Sequence, residues 1–434
     1  MTHRFPALIA APAPAPGRLW LTNALLFDGT GSGSRAGAAV LVEDGVIRAV
    51  CGTGEVPADT GTDRRIDLGG RTLLPGLTNA HSHVARYPVQ PLPGSEESLP
   101  GTPTHFLQAA LRGMLRMGVT TVRNTGSEGL QPQEARQAMR YGAFRGPRLL
   151  TCAKIISATA PGGRFYGDMY HEADGPDGVR AAVRTQIRWG ADFVKVMTTG
   201  ARSNELEDPE PTQFTDEEFA ALVDEAHRLG YKVCAHAEGL AGTEAAIEHG
   251  MDTVEHGMFL NQRPDLLDRM AENGQFLVPT LTGYYYWAGY APDVVDPTGA
   301  PTDPEAGRLI SELGRLNLDE GSKTLRAARD AGVKVVLGSD RYAEVNSTAY
   351  ELLRMIHHGL PVREALVAAT RTAAEALGIE EYVGTVEEGR LADLLVVDGD
   401  AVAEPRLLAD RDRIWLVLQL GEPVAGAALE RPAA

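Results

Sequence analysis

The feature that most constrains this chain is an alternation of short apolar strands with amphipathic helical runs, sustained from residue 76 to residue 383. The strands read Leu77–His83, GVTTVRNTG (118–126), RLLTCAKII (148–156), DFVKVMTTG (192–200), YKVCAHAEG (231–239), DTVEHG (252–257), QFLVPTL (275–281) and VKVVLGSD (333–340). Repeated strand–helix units of this kind demand parallel strands joined by right-handed crossovers. One helix is spelled out in full: in TDEEFAALVDEAHRLG, Thr215 supplies an N-cap, Glu218 completes a capping box and Gly230 ends the run. Eight strands close a (β/α)8 TIM barrel. An open doubly wound sheet would carry a Gly-rich phosphate turn after its first strand, and none is present. The expected fold class is therefore α/β, a (β/α)8 barrel over 76–383.

Both flanks have a different texture. Residues 18–75 and 384–434 hold strand-like runs such as LWLTNALLFDG, AAVLVEDGVIRAV, GRLADLLVVDGDAV and RIWLVLQLGEPV. Asp28-Gly29 and Asp44-Gly45 punctuate the first of these stretches as hairpin turns do. A small β-sandwich domain built from both chain ends is expected. Residues 1–17, rich in Ala and Pro, read as a flexible tail, because the prolines break the helix a signal peptide needs.

The informative polar residues stand at the ends of the barrel strands. The first strand ends in NAHSHVA, which places His81 and His83 two residues apart and so on one side of an extended chain. That spacing suits two ligands of one metal ion. Lys195 interrupts an otherwise apolar strand, where an ammonium is costly to bury without a partner. CAHAEG adds His236, VEHG adds His256 and VLGSD adds Asp340. Such a barrel carries its active site on the face where these residues end their strands. Any one of them has an ordinary structural explanation, but the set does not.

With these residues in view, the chain resembles the amidohydrolase superfamily from LLPGLTNAHSH to RLADLLVVDGD. The segments GADFVKVMTTG, EEFAALVDEAHRLGYKVCAHAEG and MDTVEHGMFL look most like its prolidase and imidazolonepropionase-like branch. The resemblance implies two divalent metals, with zinc the first candidate and manganese, cobalt or iron fitting the same ligands. One ion would be held by His81, His83, Lys195 and Asp340, and the other by Lys195, His236 and His256. Lys195 would carry a carbamate derived from carbon dioxide, and Asp340 would be the general base. Catalytic weight would fall on Asp340, Lys195 and His256. A hydroxide bridging two cations attacks a polarised carbonyl, so cleavage of a carbon–nitrogen amide bond is expected, in an Xaa-Pro-like dipeptide or an N-acyl amino acid. Cyclic amides, lactones and specialised biosynthetic intermediates are the alternative substrates, and a catalytically dead scaffold is disfavoured because every ligand position is filled.

Two loops depart from the branch's pattern. Ala201 replaces a Gly in TTGARSNELEDPEP, and Arg164 follows the glycines of ISATAPGGRFYGDMYH. Arg164, Tyr170, His171, Tyr284 and Arg341 are the candidate substrate contacts, the arginines because a guanidinium fork suits a carboxylate. A net charge of -17 argues against nucleic acid as a partner, and no run reaches the roughly 20 apolar residues of a membrane span. The three cysteines, Cys51, Cys152 and Cys234, suggest reduced, mostly buried thiols. A cytoplasmic protein acting on a small molecule is expected. A homo-oligomer is allowed by the sequence and not readable from it.

Overall fold

The computed structural model describes residues 17–58, 61–85, 101–202, 207–296, 308–341 and 345–430. All but the last residue of the tail expected at 1–17 lies outside them. The chain forms the α/β fold with parallel strands. In chain order the barrel strands are Leu77–Ser82, Val119–Asn124, Arg148–Thr151, Val194–Met197, Val233–Ala237, Thr253–His256, Phe276–Val278 and Lys334–Val335. The first three pair in parallel, as do the last five.

Backbone hydrogen bonds join the two sets at both seams. Asp192 N donates to Thr151 O at 2.8 Å, linking the third strand to the fourth. At the other seam Ala80 N donates to Leu337 O and Ser339 N to His81 O, at 2.9 and 3.0 Å. Gly338 permits that second seam. A Cβ there would lie 2.6 Å from His81 Cβ and 2.4 Å from Val278 Cγ1, inside any tolerable contact.

The run RLLTCAKII is not one strand. Ala153 takes a left-handed φ of 63° and splits it into Arg148–Thr151 and Ile155–Ser157. The second piece pairs with the fourth barrel strand and with an extra strand, Tyr170–Glu172. The Thr215 capping box forms, with Glu218 N donating to Thr215 Oγ1 and Thr215 N to Glu218 Oε2. It opens the helix Asp216–Arg228, which buries Phe219, Leu222 and Ala226 against the barrel.

After the seventh strand come two helices, Leu281–Trp287 and Arg308–Asp330. They pack backbone to backbone. A Cβ on Gly314 would stand 2.4 Å from Trp287 C and Ala288 N, so only glycine allows the long helix this close.

Strands from both chain ends form one further sheet, ordered Glu422–Ala425, Ile414–Gln419, Leu394–Val397, Thr72–Pro75, Arg18–Leu26, Arg35–Glu43, Val46–Gly52, with Arg64–Asp67 also paired to Arg18–Leu26. Asp44 and Gly45, at φ 50° and 80°, make the tight turn of its hairpin. Leu21, Val40, Ile47, Leu73, Leu394 and Leu418 fill its own core. No helix among the described residues is long and apolar enough to cross a membrane.

A buried ion pair fastens this sheet to the barrel. Arg148 Nη1 lies 2.7 Å from Asp393 Oδ2, the two side chains being 4% and 1% exposed. Asp393 Oδ1 also accepts from Leu420 N. Removing one partner strands a buried charge, which costs about 3–5 kcal/mol. Asp393→Ala should therefore lower stability by that amount in denaturant melts, and a loss under 1 kcal/mol would show the pair to be dispensable.

Candidate metal centre

Four histidines meet over the C-terminal mouth of the barrel. The His81 ring centroid is 5.5 Å from that of His83 and 5.3 Å from that of His256, and His236 is 4.6 Å from His256. Ligand atoms of His81, His256 and Asp340 all lie within 4.8 Å of one another.

Three of the rings are oriented through Nδ1. That atom is 2.5 Å from Glu255 Oε2 in His81, 2.8 Å from Gly126 O in His83 and 2.8 Å from Thr280 Oγ1 in His256. Tying Nδ1 makes Nε2 the ligand atom, the arrangement metal-bound imidazoles use. His81 Nε2 and His83 Nε2 stand 3.4 and 3.1 Å from Asp340 Oδ1. His236 Nε2 is buried and outside good hydrogen-bond geometry, with Glu238 Oε2 3.5 Å away.

The electrostatics suit a cation. Burial holds the His83 and His256 imidazoles below their usual range, so they stay neutral with a lone pair to give. Burial alone would raise Asp340, but hydrogen bonds from His81 and His83 override it and hold that carboxyl well below its usual range. Glu238 likewise overcomes its burial through His236, His256 and the Arg202 amide, and sits at about 2.

Lys195 is the unusual member. Its side chain is 1% exposed, between Val194 and Val196, and Nζ has no hydrogen-bond partner among the described residues. An ammonium there would leave all three of its donors unused in a dry site.

The backbone is strained where it delivers these groups. His256, Thr280 and Asp340 take left-handed φ values of 70°, 50° and 47° at the ends of strands six, seven and eight. Such conformations cost on the order of 1 kcal/mol each and are kept where surrounding structure enforces them.

Beneath the histidines lies a layer the sequence reading missed. Glu255, fully buried, holds His81 with Oε2 while Oε1 accepts from Arg123 Nη2 at 2.8 Å, Thr253 Oγ1 at 2.5 Å and Cys234 Sγ at 3.1 Å. Arg123 Nε donates to Ala80 O. For Arg123 the signal was available, since it is the one charge in the strand run GVTTVRNTG.

The cleft above the centre is walled by Ile155, Met169, Tyr170 and Met197 on one side and by Tyr284, Trp287, Leu313 and Asn317 on the other. Arg202, Glu238 and Arg341 add charge to its lining. Of the candidate substrate contacts, Tyr170, Tyr284 and Arg341 thus reach the cleft. Arg164 does not: it is exposed on the short helix Gly162–Tyr166 and is not among the lining residues. His171 does not either. It alternates with Tyr170 on one strand, so it faces the other way, where Gln186 Nε2 lies 2.6 Å from its Nδ1. Glu238, two residues beyond His236, was legible by the same period-two spacing that finds the histidines. Asn317 and Trp287, on helices over the mouth, carried no such signal.

A family model described as the Amidohydrolase family matches residues 72–424. Ochratoxinase of Aspergillus niger is 27% identical, over 93% of this chain and 86% of its own length. Among solved structures, a Xaa-Pro dipeptidase with methionine bound in its active site is 26% identical with a TM-score of 0.82, covering 94% of this chain and 100% of that one. A prolidase complexed with N-methylphosphonate-L-proline is 27% identical with a TM-score of 0.80, over 94% of this chain and 100% of its own.

Loss of a residue that orients a metal-bound histidine typically costs 10–100-fold in metal affinity. Glu255→Gln should weaken metal retention by about that factor in a chelator competition, with the fold intact by circular dichroism. Unchanged affinity would mean that His81 needs no such support.

Proposed function

Because the chain belongs to the amidohydrolase family and is a metal-dependent hydrolase, we propose that it cleaves a carbon–nitrogen amide bond in a dipeptide or an N-acyl amino acid. The observation that carries this reading is that four imidazoles, an ionised Asp340 and a buried Lys195 whose Nζ has no hydrogen-bond partner among the described residues line one cleft. Neutral imidazole and carboxylate donors fit divalent cations of the zinc class. His81, His83, Lys195 and Asp340 would hold one ion, and Lys195, His236 and His256 the other. Lys195 can serve both only as an anion, which a carbamate on Nζ provides. Bound there, such ions supply Lewis acidity toward a carbonyl and lower the pKa of water to near neutrality.

The chain's own groups do the rest. Asp340, ionised and open to the cleft, accepts a proton from the attacking water and passes it to the leaving nitrogen. Tyr284 stays protonated, since burial and then the nearby Glu238 and Asp340 carboxylates push its hydroxyl well above the usual range. Ile155, Met169 and Met197 offer an apolar wall for a side chain. The relatives that hold methionine and a proline phosphonate favour an amino acid as one product.

The test is amino-acid release from a library of Xaa-Pro peptides, other dipeptides and N-acyl amino acids, using protein loaded with zinc in bicarbonate. Release from one of these groups is expected, and silence across the library with metals bound would overturn the reading. Asp340→Asn should lower kcat by about 10²–10⁴-fold, the range for a lost general base. A tenfold loss or less would place the proton transfer elsewhere.

A further inference from the structure

Glu238 and Asn317 line the cleft but are neither assigned metal ligands nor among their supports. Glu238 follows His236 by two residues and is 5% exposed. Its Oε1 accepts from Tyr284 Oη at 3.0 Å and its Oε2 from Arg202 N at 2.5 Å. His236 Nε2 also lies 3.5 Å from Oε2, and a carboxylate has about four acceptor positions, so room for a further donor remains.

Asn317 belongs to the helix Arg308–Asp330 and is 3% exposed. Its Oδ1 is buried in the same cleft with no hydrogen-bond partner among the described residues. A buried acceptor left unpaired costs about 1–3 kcal/mol, and a donor that arrives with a ligand removes that cost. Gly314, on the same helix face at i−3, brings this residue close by letting the helix rest against the Trp287–Ala288 backbone.

The cleft is also polarised. Arg341 directly follows Asp340 on the eighth-strand side of the centre and stacks 3.9 Å from the Tyr286 ring centroid. Glu238 stands on the fifth-strand side. Arg202, beside it, is engaged by Glu210 and the Glu238 carbonyl and lies over the Phe259 ring. Tyr284 and Trp287 add aromatic faces near Asn317, and such faces attract cations.

Taking the amide-hydrolase reading as its basis, we propose that Glu238 and Asn317 form a subsite for a cationic amine of the substrate. Both residues present acceptor oxygens in the one cleft, and an ammonium satisfies a carboxylate and an amide oxygen where an N-acylated nitrogen carries no charge and a single proton. The preferred substrate is then a dipeptide or amino amide with a free amine, and its N-acylated counterpart is discriminated against.

The experiment uses the full-length, zinc-loaded protein and a matched pair of ligands. These are a phosphinic dipeptide isostere with a free amine and its N-acetyl derivative, titrated by calorimetry, with kcat/KM for the corresponding dipeptides measured alongside. The free amine should bind about 10–100-fold more tightly, the worth of one or two charge-assisted hydrogen bonds. Asn317→Leu and Glu238→Gln should each shrink that preference at least about tenfold, whereas Asn317→Asp should preserve or enlarge it. Equal binding of the two ligands overturns the subsite, as does a preference that survives Asn317→Leu. Loss of metal from Glu238→Gln together with an intact preference in Asn317→Leu overturns it too, assigning the carboxylate to the metal. A calorimetric preference that Asn317→Leu abolishes, with no amide turned over, upholds the subsite while defeating the amide-hydrolase reading.

Discussion

The structure around the barrel mouth depends on one costly placement, the Nζ of Lys195 buried without a hydrogen-bond partner among the described residues. A lysine in an apolar strand gains nothing for the fold: its ammonium loses water and finds no acceptor in return. Such a position is tolerated where the group is not an ammonium in the working protein. A carbamate on Nζ turns the liability into an anion with two oxygen ligands. That anion would face Asp340 and Glu238, both ionised, so it needs cations beside it. On the proposed carbamate, modification and metal loading would be coupled, each making the other favourable.

The rest of the scaffold makes that coupling geometric. Left-handed backbone at His256, Thr280 and Asp340 ends three consecutive strands at the centre. Glu255, neutralised by Arg123, fixes the His81 tautomer from below. Gly338 lets the eighth strand close on the first at His81 itself. Each device costs some intrinsic stability. Together they hold four imidazole rings where solvent alone would not arrange them.

Much of this was legible in the sequence, for reasons that differ by residue. Strand-end histidines are visible because a period of two puts His81 with His83 on one side, and because a charge inside an apolar strand, as at Lys195, stands out. The eight strands and the Thr215 cap follow from local pattern. Other features depend on contacts distant in sequence. The break at Ala153 is a backbone choice that its residue type does not announce. Arg164 has the chemistry of a carboxylate ligand, but its short helix turns it to solvent. His171 loses its place to Tyr170 through strand alternation, which was readable had that short strand been foreseen. Asn317 reaches the cleft because Gly314 lets a distant helix approach the seventh-strand end.

The most direct test of a carbamylated, metal-bridging lysine is a crystal structure of protein loaded in zinc and bicarbonate, with diffraction collected at the zinc edge. The account predicts two anomalous peaks flanking Lys195 and continuous density for a carboxylate beyond Nζ. Fully loaded metals with an unmodified Lys195 turned away from them would contradict it.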